Sequence, residues 1–218
     1  MQRSELICDI DELEVPEEYQ RIWNDINLPI QEEKGRTHDL SQDELAKCLS
    51  ELSRRGYYLV SIAEQFGAKN IAEVGTAQGW QFYTFAHYAA KVDGFVWSCD
   101  IRDVRDKDYA QKYSDVTDFV SGTSEQMAET IKFSGEKIDM FYIDGWHERG
   151  WVLQDVERLK EFQSDDPIWI FDDYDERFGC SFDIDEICEQ IPDHYIYRVG
   201  NAASGQPNHQ VAVFGRIE

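Results

Sequence analysis

Apolar residues recur along this chain with two different periods, and the change between them divides it. Near the start, Tyr19, Ile22, Trp23 and Ile26 repeat at helical spacing and predict a short helix around 17–26, with Pro16 and Pro29 as breakers. Ser41 and Glu44 form a capping-box pattern ahead of a second helix. That helix presents Leu45, Cys48, Leu49 and Leu52 on one face. Gly56 is expected to interrupt it, and Leu59, Ile62 and Ala63 carry the stripe on toward Phe66 and Gly67. From residue 70 the pattern changes to short apolar runs alternating with amphipathic segments. Strands are predicted at about 70–75, 95–100, 116–121, 137–143, 167–172, 194–199 and 209–217, and helices at about 79–91, 105–112, 124–133, 150–162 and 182–190. In the 150–162 segment Val152, Val156 and Leu159 share one face, while Asp155, Glu157, Arg158 and Lys160 lie elsewhere.

Repeated βα units predict a mainly parallel sheet with helices on both faces. The last two strands are joined by the turn-rich stretch from Asn201 to Asn208 with no helix between them, so they form a hairpin and an antiparallel edge. The expected fold is α/β: a Rossmann-like, seven-stranded, mostly parallel sheet with an antiparallel terminal hairpin, plus N-terminal helices. Residues 1–67 are expected to form a helical lid or cap segment, and residues 68–218 the sheet domain.

Composition narrows the partners. The chain has 218 residues, 42% hydrophobic, so a folded core is within reach despite a net charge of −23. With 44 acidic residues against 21 basic ones, nucleic acid is not an expected partner. No stretch approaches the roughly 18 apolar residues that read as a membrane span, and the acidic first fifteen residues lack the basic start and apolar run of a signal peptide. Cys8, Cys48, Cys99, Cys180 and Cys188 show no CxxC spacing, which argues against a disulfide framework or a zinc site. Cys48 and Cys99 read as small core residues. A cytoplasmic location is the default expectation.

The residues that carry chemistry gather at the predicted strand ends. In an open parallel sheet, ligands bind beyond the carboxyl ends of the strands. There the first strand runs into Glu73-Val74-Gly75-Thr76-Ala77-Gln78-Gly79, a glycine-rich turn followed at once by a helix. Gly75 and Gly79 leave out side chains that would block a nucleoside, and the helix start offers free N–H groups. Asp100 ends the second strand, 25 residues after Gly75, where an acid can accept both ribose hydroxyls. Thr123 and Ser124 follow the third strand, Asp144, Trp146 and His147 the fourth, and Asp172 and Asp173 the fifth. Glu73 is a candidate carboxylate for the positive end of a cofactor. Trp80, Tyr83, Trp146, Trp151, Tyr174 and Phe178 supply aromatic surface nearby. His87 falls in an aromatic helical stretch and reads as structural.

The turn departs from the dinucleotide pattern GxGxxG by placing Ala77 at its middle position. With that turn and the final hairpin, the chain resembles the class I S-adenosylmethionine-dependent methyltransferases over roughly residues 68–218. The Glu73–Gly79 block looks most like the branch containing macrocin-type, rhamnosyl and cephalosporin-biosynthesis methyltransferases. The resemblance implies that Gly75, Ala77 and Gly79 hold the methionine moiety and Asp100 the ribose. The adenine contact falls near Thr123 and Ser124, where many relatives carry an acid or amide. Ile143-Asp144-Gly145-Trp146-His147 and Phe171-Asp172-Asp173 resemble the metal-binding segments of catechol O-methyltransferase. By that likeness Asp144, Asp172 and Asp173 bind Mg²⁺ and His147 is the base. N-terminal segments of such enzymes cover the cofactor, which brings Arg36 and His38 into consideration.

The expectation is therefore an Mg²⁺-dependent O-methyltransferase that moves a methyl group from S-adenosylmethionine to a hydroxyl of a small molecule: a sugar, a glycosylated natural product or a catechol-like ring. The N-terminal helices are candidates for a homo-oligomer contact. The rival readings are a metal-free methyltransferase of the same fold, a nicotinamide-dependent oxidoreductase, and a non-catalytic cofactor-binding protein.

Overall fold

Alternation along the central strands divides their side chains between two faces. Ile71, Met140, Tyr142, Ile168 and Ile170 point to one face, and Ala72, Val74, Phe141, Ile143, Trp169 and Phe171 to the other. Both faces are covered, so these strands carry apolar side chains on both. The computed structural model describes residue 10 and residues 13–33, 41–201 and 207–218. Arg36, His38 and Cys8, and the side chain of Cys48, lie outside the described residues.

The described chain runs α1 (Glu17–Glu33), α2 (Gln42–Phe66), β1 (Asn70–Val74), α3 (Trp80–Val92), β2 (Phe95–Asp100), α4 (Lys107–Lys112) and β3 (Thr117–Ser121). It continues α5 (Ser124–Ser134), β4 (Ile138–Ile143), α6 (Trp151–Leu159), a short 3₁₀ turn (Lys160–Phe162), β5 (Gln163–Phe171), α7 (Cys180–Gln190), β6 (His194–Asn201) and β7 (Pro207–Phe214). The seven strands lie in the order β3-β2-β1-β4-β5-β7-β6. β1 to β5 are parallel, while β7 is antiparallel to both β5 and β6. The strand order reverses between β1 and β4, and the crevice at their carboxyl ends is where such sheets bind ligands.

Helices α1, α2 and α3 pack on one face of the sheet; α5, α6 and α7 pack on the other. The Ser41–Glu44 capping box forms as expected, and α2 ends at Gly67 in the left-handed conformation. Two breakers do not break. α1 runs through Pro29 to Glu33, and α2 runs unbroken through Gly56. Gly56 stands in the helix because the Trp23 ring lies against it: a Cβ there would come within 2.3 Å of the indole. The indole Nε1 also donates to Thr84 Oγ1 at 2.8 Å, which ties α1 to α3. Tyr58, Leu59, Val60 and Ile62 of α2 are buried in the same core as α3 and the sheet. Burial of each such side chain contributes about 1.5–3 kcal/mol. β5 begins at Gln163, four residues before its expected start, because Gln163 pairs with Ile138 across a register shift.

Candidate active site

The site is assembled where the ends of β1, β4 and β5 are stitched together one residue past their ladders. Gly75 N donates to Cys99 O at 2.9 Å, Asp144 N to Val74 O at 2.8 Å, and Asp172 N to Ile143 O at 3.0 Å. Gly75 has φ 97, and a Cβ on it would lie 1.9 Å from the Asp144 carbonyl oxygen. Its missing side chain therefore admits the backbone that carries Asp144.

The turn after β1 is braced from β2. Asp100 accepts the Ala77 N–H at 2.8 Å on one oxygen and the Arg102 N–H at 3.1 Å on the other. Ala77 takes a positive φ of 46, and Gly79 one of 92. Helix α3 then starts at Gly79 with no side-chain cap, so first-turn N–H groups remain free for a ligand. Behind the turn, Thr76 Oγ1 and Ser98 Oγ lie 2.5 Å apart, and Ser98 donates to Glu73 Oε2 at 2.6 Å. Glu73 Oε1 is buried without a partner. Burial pushes Glu73 up to about 8, with the Ser98 hydrogen bond opposing. An orphaned acceptor and uncapped donors beside a ribose-spaced acid fit a cofactor with an amine, a carboxylate and a ribose.

Thr123 and Ser124 are turned to structural partners. Thr123 caps α5 with Gln126, and Ser124 donates to Asp155 Oδ1 at 2.5 Å and accepts from Arg158 at 3.1 Å. His87 lies half-buried among Tyr19 and Tyr113, with Nδ1 3.0 Å from the Tyr113 hydroxyl.

Asp144, His147 and Asp173 converge. Each offers one ligand atom, and these atoms lie within 4.8 Å of one another. His147 Nδ1 is 3.1 Å from Asp173 Oδ2, and Nε2 is 3.6 Å from Asp144 Oδ1. Burial and the charge of Asp172 push Asp144 up to about 7, and burial with the same neighbour raises Asp173. His147 is raised by its contact with the Asp144 carboxylate, against the opposing effect of burial. Two carboxylates and one imidazole converging in this way make a donor set that fits a divalent cation.

Asp172 is placed differently. Its Oδ2 pairs with the Arg55 guanidinium and accepts the Tyr142 hydroxyl at 2.6 Å, while Oδ1 accepts the Asp173 N–H at 2.8 Å. Burial alone would raise Asp172, but Arg55, Tyr142 and the Asp173 amide override it and hold the carboxyl below its ordinary range. Asp173 sits at φ 52, and its side chain turns to His147 and to Asn208 Nδ2 at 3.2 Å. Arg55 and Tyr142 escaped the motif reading. The signal for Arg55 was its position: three residues after Leu52 and four before Leu59, it is a charge on the apolar face of α2.

Among the aromatics, Phe178 meets the His147 ring edge-on at 5.2 Å, and Trp146, 53% exposed, lies 6.3 Å from Trp151. Trp80 instead packs toward Trp23, and Tyr83 is buried under the turn. A groove of about 820 Å³ lies at the opposite end of the sheet among Asn70, Phe95, Thr117 and Phe133, away from these groups.

This strand order, with the crevice at β1 and β4 and a terminal antiparallel hairpin, is the fold of the class I S-adenosylmethionine-dependent methyltransferases. Residues 72–174 match the model of a methyltransferase-domain family. Solved structures share the fold. The O-methyltransferase from Bacillus cereus, in complex with SAH, superposes with a TM-score of 0.63 at 15% identity, covering 94% of this chain and 94% of that one. The O-methyltransferase TomG from Streptomyces achromogenes, involved in tomaymycin synthesis and solved with SAM, gives 0.64 at 13% identity, covering 99% of each chain. No curated protein sequence matches the chain. Among the described residues, no helix is long and apolar enough to cross a membrane.

Proposed function

We propose that this protein is an S-adenosylmethionine-dependent O-methyltransferase acting on a hydroxyl of a small molecule, with a divalent cation of the Mg²⁺ type at the strand ends. The observation that carries the reading is the convergence of Asp144, His147 and Asp173 beside the Gly75–Gly79 turn, inside a methyltransferase domain. The cofactors bound to the Bacillus cereus protein and to TomG support the choice of methyl donor.

When bound, S-adenosylmethionine supplies the methyl group as a sulfonium, and the cation lowers the pKa of a hydroxyl that it coordinates. The protein's share is binding, orientation and proton removal. In this reading Asp100, which holds the turn through Ala77, takes the ribose, and Glu73, with one buried oxygen unpartnered, meets the donor's positive end. Asp144 and Asp173 would hold the cation. His147 takes the acceptor's proton. Its carboxylate neighbours fix the ring and stabilise the imidazolium that forms. Trp146 and Phe178 wall the acceptor side, where ring faces suit sugars, glycosylated natural products and catechol-like rings. The free cysteines Cys99, Cys180 and Cys188 fit the reducing cytoplasm in which we place the enzyme.

A methyl-release assay against a panel of sugars and phenols, with and without EDTA, tests the proposal. Turnover that EDTA and Asp144→Ala abolish supports it, and the absence of S-adenosylmethionine binding by calorimetry refutes it. One observation favours a metal-free variant of the same reaction: the Arg55 guanidinium already sets a positive charge against Asp172 at this rim. EDTA-insensitive turnover would select that variant.

A further inference from the structure

Two adjacent carboxylates at the end of β5 have been given different partners. The Asp172 side chain is 1% exposed, and its oxygens are taken up by Arg55, the Tyr142 hydroxyl and the Asp173 amide. The left-handed backbone at Asp173 sends the next carboxylate to His147 and Asn208. Arg55 comes from α2, outside the strand-end loops. It is carried to the site by a helix whose neighbours Tyr58 and Leu59 are buried in the core.

We propose that Arg55 is a positioning residue for the methyl-transfer site: it withdraws Asp172 from the cation, so that the ion is held by Asp144 and Asp173 alone among the three aspartates. This inference rests on the cation reading above. An arginine N–H on a carboxylate oxygen occupies a lone pair that an ion would use, and its charge offsets the one that would attract the ion. Ligand charge count is a main control on the affinity of an oxygen site for a divalent ion. With two carboxylates instead of three, the ion is bound more weakly and keeps more positions for water and for the acceptor's oxygens. The same contact makes docking of α2 a condition for the arrangement of the site.

Mn²⁺ is the probe, with the free ion counted by electron paramagnetic resonance. Five full-length proteins are compared: the parent, Asp172→Asn, Arg55→Gln, Arg55→Lys and the Arg55→Gln/Asp172→Asn double variant. The parent and the double variant should bind Mn²⁺ within about twofold of each other, because removing the ion pair whole changes neither the ligands nor the net charge at the site. Arg55→Gln should bind about tenfold or more tightly, since it frees a third carboxylate. That gain should vanish in the double variant and in Arg55→Lys, which keeps the charge. A loss of about tenfold or more in the double variant relative to the parent would overturn the inference while leaving the cation site intact, because Asp172 would then be a ligand. Equal affinities for the parent and Arg55→Gln would overturn it too. Absence of Mn²⁺ binding in all five proteins would remove the cation reading beneath it. Circular dichroism and S-adenosylmethionine calorimetry report whether each variant is folded. Should Arg55→Gln fail to fold, the comparison of the parent with the double variant still decides.

Discussion

Replacing Gly75 with alanine perturbs the seam on which the site is built. Gly75 has φ 97, a region that side-chain-bearing residues rarely enter, and holding alanine there costs about 1–3 kcal/mol. The new Cβ would also lie 1.9 Å from the Asp144 carbonyl oxygen and 2.6 Å from its carbon. The obstacle is backbone, so no rotamer change relieves it. The chain must open the contact that Asp144 N makes with Val74 O at 2.8 Å. Forced packing of this kind adds about 1–3 kcal/mol. A domain of this size loses about 2–4 °C per kcal/mol, so the melting temperature should fall on the order of 10 °C. Gly67→Ala is the control: its φ is 68, with nothing within 4 Å of the added methyl, so it carries strain of about 1–2 kcal/mol and no clash. Urea unfolding followed by tryptophan fluorescence should show Gly75→Ala losing clearly more stability than Gly67→Ala. Its Mn²⁺ affinity should drop as Asp144 is displaced. If the two variants are equally stable and Gly75→Ala binds Mn²⁺ like the parent, the seam does not position Asp144 and the reasoning fails.

Three further outcomes are expected. His147→Ala should lower kcat by about 10²–10⁴-fold while S-adenosylmethionine affinity stays unchanged in calorimetry; parental turnover would remove His147 from the chemistry. Asp100→Ala deprives the Ala77 and Arg102 amides of their acceptor, so cofactor affinity should fall about tenfold or more; an unchanged affinity would show that the turn holds without it. Burial holds Glu73 at about 8 against an ordinary 4.5, so the folded state keeps a proton that the unfolded state has released, and stability falls as pH rises between those values. Glu73→Gln should remove that slope and gain stability relative to the parent from pH 5 to pH 8 in urea titrations; a constant difference would mean that Glu73 ionises in the fold.

The strand–helix alternation was legible because buried parallel strands and amphipathic helices write different periods. The strand-end positions of Asp100, Asp144, Asp172 and Asp173 followed from it directly. Local periodicity does not report long-range contacts. Gly56 reads as a breaker until Trp23, 33 residues away, is seen to need the space. Gly75 reads as room for a ligand, yet the nearest atom to its missing side chain belongs to Asp144. The two aspartates after β5 look equivalent as a dipeptide. A positive φ at Asp173 and a charge delivered from α2 by Arg55 make them different. Thr123 and Ser124 sit where a loop would meet a nucleoside, but their hydroxyls are committed to Gln126 and Asp155, contacts that spacing alone does not reveal.

In the proposed enzyme a cation and a nucleoside sulfonium share one rim of this sheet. A crystal grown with Mn²⁺ and S-adenosylhomocysteine, measured for anomalous scattering, addresses it directly. The account predicts a peak between the Asp144 and Asp173 carboxylates, with the ribose of the nucleoside on Asp100. A map with no peak there, or with the nucleoside bound away from the Gly75–Gly79 turn, would contradict it.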